Sequence, residues 1–227
     1  RMNKSTPSAA RKLAGWAFGL AMTAAAGTAG AATLYQQSVG GNAWFANPNT
    51  PQQLADNFSL SSEATLERVT WWGGYASGVA PDDFLLRLYS NVTGQGTILH
   101  SFSVGAAGGT VIASGSFDTY QYDYVLPTGS GTTPVVLPGG NYYLFIENIG
   151  SGDWFWLADD ASGGNSELWY RDADGDSWLS NAANSRDDLA FRLSGTPTTR
   201  VPEPDSLALL ALASLGLAGW RSRRRRS

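Results

Sequence analysis

Between residues 33 and 200 apolar and polar positions alternate in short runs separated by turn-forming residues. In Leu189–Ser194, Leu189, Phe191 and Leu193 fall on one side while Ala190 and Arg192 fall on the other, the two-residue period of a half-buried strand. Runs of this kind predict strands at Thr33–Val39, Leu66–Trp72, Phe84–Ser90, Thr97–Val104, Val111–Phe117, Tyr120–Val125, Asn141–Asn148, Trp154–Leu157, Glu167–Arg171 and Ser177–Leu179. Gly-Gly, Pro-Asp, Gly-Ser-Gly and Pro-Gly-Gly turn signals separate them. No segment of this stretch has a convincing helical period. Many short strands with Gly and Pro turns predict an all-β fold, an antiparallel β-sandwich of jelly-roll-like type.

The two ends of the chain follow other patterns. Lys4, Arg11 and Lys12 precede an apolar run from Leu13 to Ala26, and small residues follow. Charge, apolar run and small residues, in that order, predict a secretory signal peptide over 1–32. Ala29 and Ala31 fit the small-x-small cleavage pattern, with the cut after Ala31 or Ala32. At the other end a polar linker, 195–200, leads to Val201-Pro202-Glu203-Pro204. Ser206 to Trp220 is then apolar, and the chain closes with Arg221, Arg223, Arg224, Arg225 and Arg226. A helix over that apolar stretch is about 22 Å long, short of the roughly 30 Å hydrocarbon core. Trp220 and snorkelling arginines extend its reach. The positive-inside rule keeps the arginines cytoplasmic and so places the 33–194 domain outside.

Pro202-Glu203-Pro204, a short apolar helix and a terminal arginine cluster, in that order, resemble the PEP-CTERM sorting signal of Gram-negative bacteria. The resemblance covers residues 201–227. It implies recognition by an exosortase, a membrane-embedded transpeptidase-like protease. It further implies removal of the tail at or near the motif and delivery of the body to the cell surface or an exopolysaccharide matrix. The body itself resembles uncharacterised domains that accompany such tails, through Val69-Thr70-Trp71-Trp72-Gly73-Gly74-Tyr75, Asp83 to Tyr89 and Tyr142 to Ile146. That likeness implies a jelly-roll-like fold and no particular activity.

Composition narrows the function classes. The chain has no Cys and one His, His100. A disulfide scaffold, a thiolate metal site and a cysteine nucleophile are therefore excluded, and a His-rich zinc site is disfavoured. The net charge of −4 hides an asymmetry. Residues 33–200 hold six basic and 17 acidic residues, a net −11, with no Lys. An acidic body with no basic patch for phosphate contacts argues against nucleic acid and against attraction to anionic lipid surfaces.

Three constellations are candidates for chemistry. Asp172, Asp174 and Asp176 alternate in a short loop, where carboxylates can converge on Ca2+. The order is that of the first half of an EF-hand loop, but Ser177 stands at the sixth position and Ala183 at the twelfth. Asp187 and Asp188 are available as further ligands. The simpler reading is a hairpin turning at Asp174-Gly175, which sets Arg171 opposite Trp178. Trp154 and Trp156 share one face of a strand beside acidic residues, so they are candidates to stack on sugar rings; the competing reading places them in the core. Glu147 with Asp153 is the weakest candidate, a carboxylate pair for glycoside hydrolysis. No G-x-S-x-G, H-E-x-x-H, P-loop or dinucleotide motif occurs. The leading expectation is a non-enzymatic surface or matrix protein, structural or adhesive, associated with exopolysaccharide. A lectin-like module and a polysaccharide hydrolase are the alternatives.

Overall fold

The computed structural model describes residues 31–76, 81–114, 117–127, 131–159, 167–181 and 187–198. Among them every regular element is a strand. In chain order these are β1 (Ala32–Gln36), β2 (Asn42–Phe45), β3 (Gln53–Leu60), β4 (Ala64–Tyr75), β5 (Phe84–Asn91), β6 (Thr97–Gly105), β7 (Thr110–Ala113), β8 (Thr119–Val125), β9 (Val135–Leu137), β10 (Gly140–Asn148), β11 (Trp154–Asp159), β12 (Leu168–Arg171), β13 (Leu179–Ser180), β14 (Asp188–Leu189) and β15 (Phe191–Pro197). They form two antiparallel sheets facing one another across a common core, the expected β-sandwich.

The smaller sheet runs β13-β12-β3-β10-β5-β6. The larger is built around β4, which is long enough to take two partners on each edge. One edge pairs β15 over Ala64–Trp71 and β11 over Gly73–Tyr75. The other pairs β9 over Ala64–Leu66 and β8 over Arg68–Gly74. β1 then adds to β15, β7 to β8, and both β2 and β14 to β11. Consecutive strands repeatedly change sheets: β3 to β4, β4 to β5, β6 to β7, β9 to β10, β10 to β11 and β11 to β12.

The core is aromatic. Phe84 sits edge-on to Trp71, Tyr122 and Trp154, with ring centroids 5.1, 4.8 and 5.2 Å apart. Edge-on and offset rings satisfy the aromatic quadrupole as well as burying area. Trp156 and Phe191 continue the cluster towards Phe58 and Tyr35. Gly73 makes this packing fit: a Cβ there would stand 2.3 Å from the Trp154 ring.

Three strands were not expected. β3 hides its period because Asp56 takes an inward position between Leu54 and Phe58. β2 and β9 are only four and three residues long, too short for alternation to register. The run expected over Val111–Phe117 ends at Ala113. The signal segment and the short apolar helix lie outside the described residues. Among those described, no helix is long and apolar enough to cross a membrane.

Candidate functional site

The outward face of the smaller sheet carries a second, smaller core. Ala55 of β3, Phe145 of β10, Tyr89 of β5 and Val92 are buried there beneath Trp178. Trp178 belongs to the turn joining β12 to β13. The pairing Trp169↔Ser180 and Tyr170↔Leu179 centres that turn on Asp174-Gly175, as the hairpin reading requires. The Ala173 carbonyl accepts from the Asp176 N–H at 3.1 Å, and Gly175 adopts φ 98°, where a side chain would be strained. The turn folds back onto the sheet. The Trp178 N–H donates to the Gly94 carbonyl at 2.7 Å, and Gln95 Nε2 donates to the Gly175 carbonyl at 2.7 Å.

Two arginines fasten it. The Arg87 Nη1 and Nη2 groups donate to the two Asp174 carboxylate oxygens at 2.6 and 2.7 Å, a bidentate pair. Arg171 donates through Nη2 to the same carboxylate at 2.5 Å and to the Tyr89 hydroxyl at 3.3 Å. Its Nε donates to Gln53 Oε1 at 2.7 Å, and Gln53 Nε2 in turn donates to Glu147 at 3.0 Å. The Arg171 guanidinium lies 4.4 Å from the Trp178 ring, the expected cation–π pair, and Arg87 lies 5.1 Å from the Phe145 ring. The Arg87 hydrogen bonds hold the Asp174 carboxyl below the usual carboxylate range, against the upward push of partial burial. Burial pushes Glu147 up, opposed by the Gln53 bond and by both arginines. The cleft over the cluster, about 260 Å³, is lined by Arg87, Gln95, Ile98, Arg171, Asp174 and Gly175.

This geometry decides where the expected ligands stand. Asp174 is committed to two guanidiniums, while Asp172 and Asp176 are exposed at the turn. Asp187 accepts instead from Asn42 and from the Trp44 indole, at 2.9 and 2.8 Å. Among the described residues no three His, Cys, Asp or Glu side chains are grouped to hold a metal ion. Asp174 is therefore the carboxylate that clamps the turn, and Asp172 and Asp176 flank it exposed to solvent.

Trp154 and Trp156 do share a face, and Phe155 takes the other, but the shared face is the inward one. Both are 0% exposed, and the Trp156 indole donates to the Ala190 carbonyl at 2.9 Å. Their rings are core, and they offer no face to a sugar. On the outward face of the smaller sheet Trp169 and Tyr143 are partly buried, packed against the second core and edge-on with centroids 6.1 Å apart. Glu147 is buried against Gln53, whereas an Asp153 oxygen accepts from exposed Asn49 at 3.3 Å. His100 stacks on Phe102 within β6.

Two further features were missed. The outward face of the larger sheet holds an apolar groove of about 640 Å³, lined among others by Phe45, Ile112, Phe117, Phe155 and Leu157 and, among the described residues, by no charged side chain. Between the sheets, Asp56 is buried and its carboxylate accepts the Leu189 and Asn57 N–H groups. Burial pushes its pKa well up, and nearby Asp188 adds to the rise. Burial, with both carboxylates nearby, also pushes Tyr35 up to about 12. The clamp itself had one legible trace: Arg87 is the single charge in β5, set within the apolar run Phe84–Tyr89.

Ala31 precedes β1 and Ala32 opens it. Ala29, Val201 to Pro204 and the terminal arginines lie outside the described residues. No curated protein matches the chain at a significant level. Residues 200–226 match the model of the PEP-CTERM protein-sorting motif, so the chain carries the signal of an exported protein that is processed by an exosortase.

Proposed function

We propose that the exported body is a non-enzymatic structural or adhesive component of the cell surface or extracellular matrix of a Gram-negative bacterium, held in contact with exopolysaccharide. The observation that carries this reading is the sorting motif joined to a sandwich whose arginine–aspartate cluster is spent on its own architecture. A clamp of that kind favours a body that keeps its shape outside the cell without disulfides.

On this reading polysaccharide contact falls to the partly buried Trp169 and Tyr143, whose remaining exposed edges face outward, rather than to the fully buried Trp154 and Trp156. Stacking on an exposed aromatic is a modest contact, so the association is broad and weak. The test is co-sedimentation of the exported protein, recovered from the host's extracellular fraction, with the host's own exopolysaccharide, in calcium and in chelator. Saturable binding in both conditions, weakened about ten-fold by Trp169→Ala, is expected. No binding in either condition overturns the adhesive reading. Binding lost only in chelator returns attention to Asp172, Asp174 and Asp176.

A further inference from the structure

A sheet edge presents unpaired N–H and C=O groups, and sandwich proteins blunt such edges with short strands, charges or prolines. Most edges of this sandwich are blunted by length. On the smaller sheet β13 has two residues; on the larger, β14 has two, β9 three, β7 four and β1 five. β6 is different. It spans nine residues, Thr97-Ile-Leu-His-Ser-Phe-Ser-Val-Gly105, and among the described residues pairs only with β5. No described residue hydrogen-bonds to its other edge through the backbone. It contains no proline and no Asp, Glu, Lys or Arg. Ile98 and Leu99 are 49% and 39% exposed.

The absence of charge extends well beyond the strand. From Leu88 to Phe117 the chain has no Asp, Glu, Lys or Arg, although the stretch 33–200 carries a net −11. That interval includes β7, the edge strand of the opposite sheet, whose Val111 and Ile112 are half-exposed. Two copies of an acidic body repel one another over most orientations. They meet with least repulsion where both are neutral, along β6. Composition adds to this: a short β-branched and aromatic run with no net charge and no proline is the pattern that pairs with its own kind. An antiparallel pair of identical strands is also self-complementary about a twofold axis, the commonest closed symmetry. Bulges at Leu99 and Val104 bracket a regular run, His100 to Ser103, which limits the contact to a few residue pairs and favours closure over open fibres.

We propose that β6 is a homotypic assembly edge, to which a second copy of this chain adds antiparallel, joining the two smaller sheets into one. This goes beyond polysaccharide association and is measured in its absence, so either idea can fail without the other.

The test is sedimentation of the exported protein over a range of concentrations, free of polysaccharide. Wild type is expected to pass from one to two chains as concentration rises. Ser101→Lys with Ser103→Lys places two positive charges on each β6, so that like charges face one another in the pair. This double variant is expected to weaken association by about ten-fold or more. Ser59→Lys, on the interior strand β3, is expected to leave it unchanged. Hydrogen exchange on wild type gives a second reading that does not depend on the variant folding. Amides of Thr97–Gly105 are expected to gain protection at high concentration. A single-chain mass at every concentration, association untouched by the lysines, or β6 exchange independent of concentration would each overturn the proposal.

Discussion

Arg171 shows how one side chain sets local architecture. It is nearly inaccessible, and its donors reach Gln53, Tyr89, the Gln95 carbonyl and Asp174, while Trp178 covers its face. Removing it strands the buried Tyr89 hydroxyl and Gln53, whose other end holds Glu147. Arg171→Ala is therefore expected to lower unfolding free energy by about 3 kcal/mol in urea titration. Asp174→Ala, at a half-exposed position, should cost nearer 1 kcal/mol. Equal losses for the two would show that the clamp is not organised around Arg171. Gly73→Ala sets a Cβ against Trp154 in a strand interior that cannot shift alone, with an expected cost of about 2 kcal/mol or more. A melting temperature unchanged by that substitution would contradict the packing.

Two carboxylates give opposite pH signatures at the same scale. Asp174 titrates below its ordinary value when folded, so its stabilisation is present above pH 3.8 and fades as acid carries the pH through the lowered folded value. Asp56 titrates well above its ordinary value, so its contribution is complete below pH 3.8 and is lost as pH rises towards the raised folded value. Carboxyl carbon NMR should show Asp56 still protonated at a pH where exposed carboxylates have ionised. An Asp56 resonance that titrates with the exposed aspartates would refute its burial between the sheets.

At the scale of elements, what could be read from the sequence followed the strength of alternation. β8 and the start of β15 carry clean two-residue periods, β5 and β10 are near-continuous apolar runs, and all four appear where expected. β3 does not, because a buried carboxylate occupies a core position and breaks the hydrophobic count. The turn at Asp174-Gly175 was legible from its residues, and with it the pairing of Arg171 with Trp178. The turn's partner Arg87 was not, since it lies 87 residues before Asp174 and only the β3-β10-β5 pairing brings it near. The orientation of Trp154 and Trp156 was likewise hidden: a two-residue period shows that two side chains share a face, but never which face is inside. The expected sugar pair was core for that reason.

For the whole molecule, the last described strand is also one of the best held. β15 lies between β1 and β4 and is hydrogen-bonded on both sides. Its C-terminal end, at Pro197, pairs with Ala64, and the start of β1, at Ala32, lies beside Gly195. The sandwich is therefore entered and left at the same pole. The sorting motif begins at residue 200, so a pull on the tail during processing enters the sandwich through β15, and a pull in line with that strand loads β1 and β4 together. Both ladders then resist in shear, sharing the load across many bonds at once instead of peeling one pair at a time.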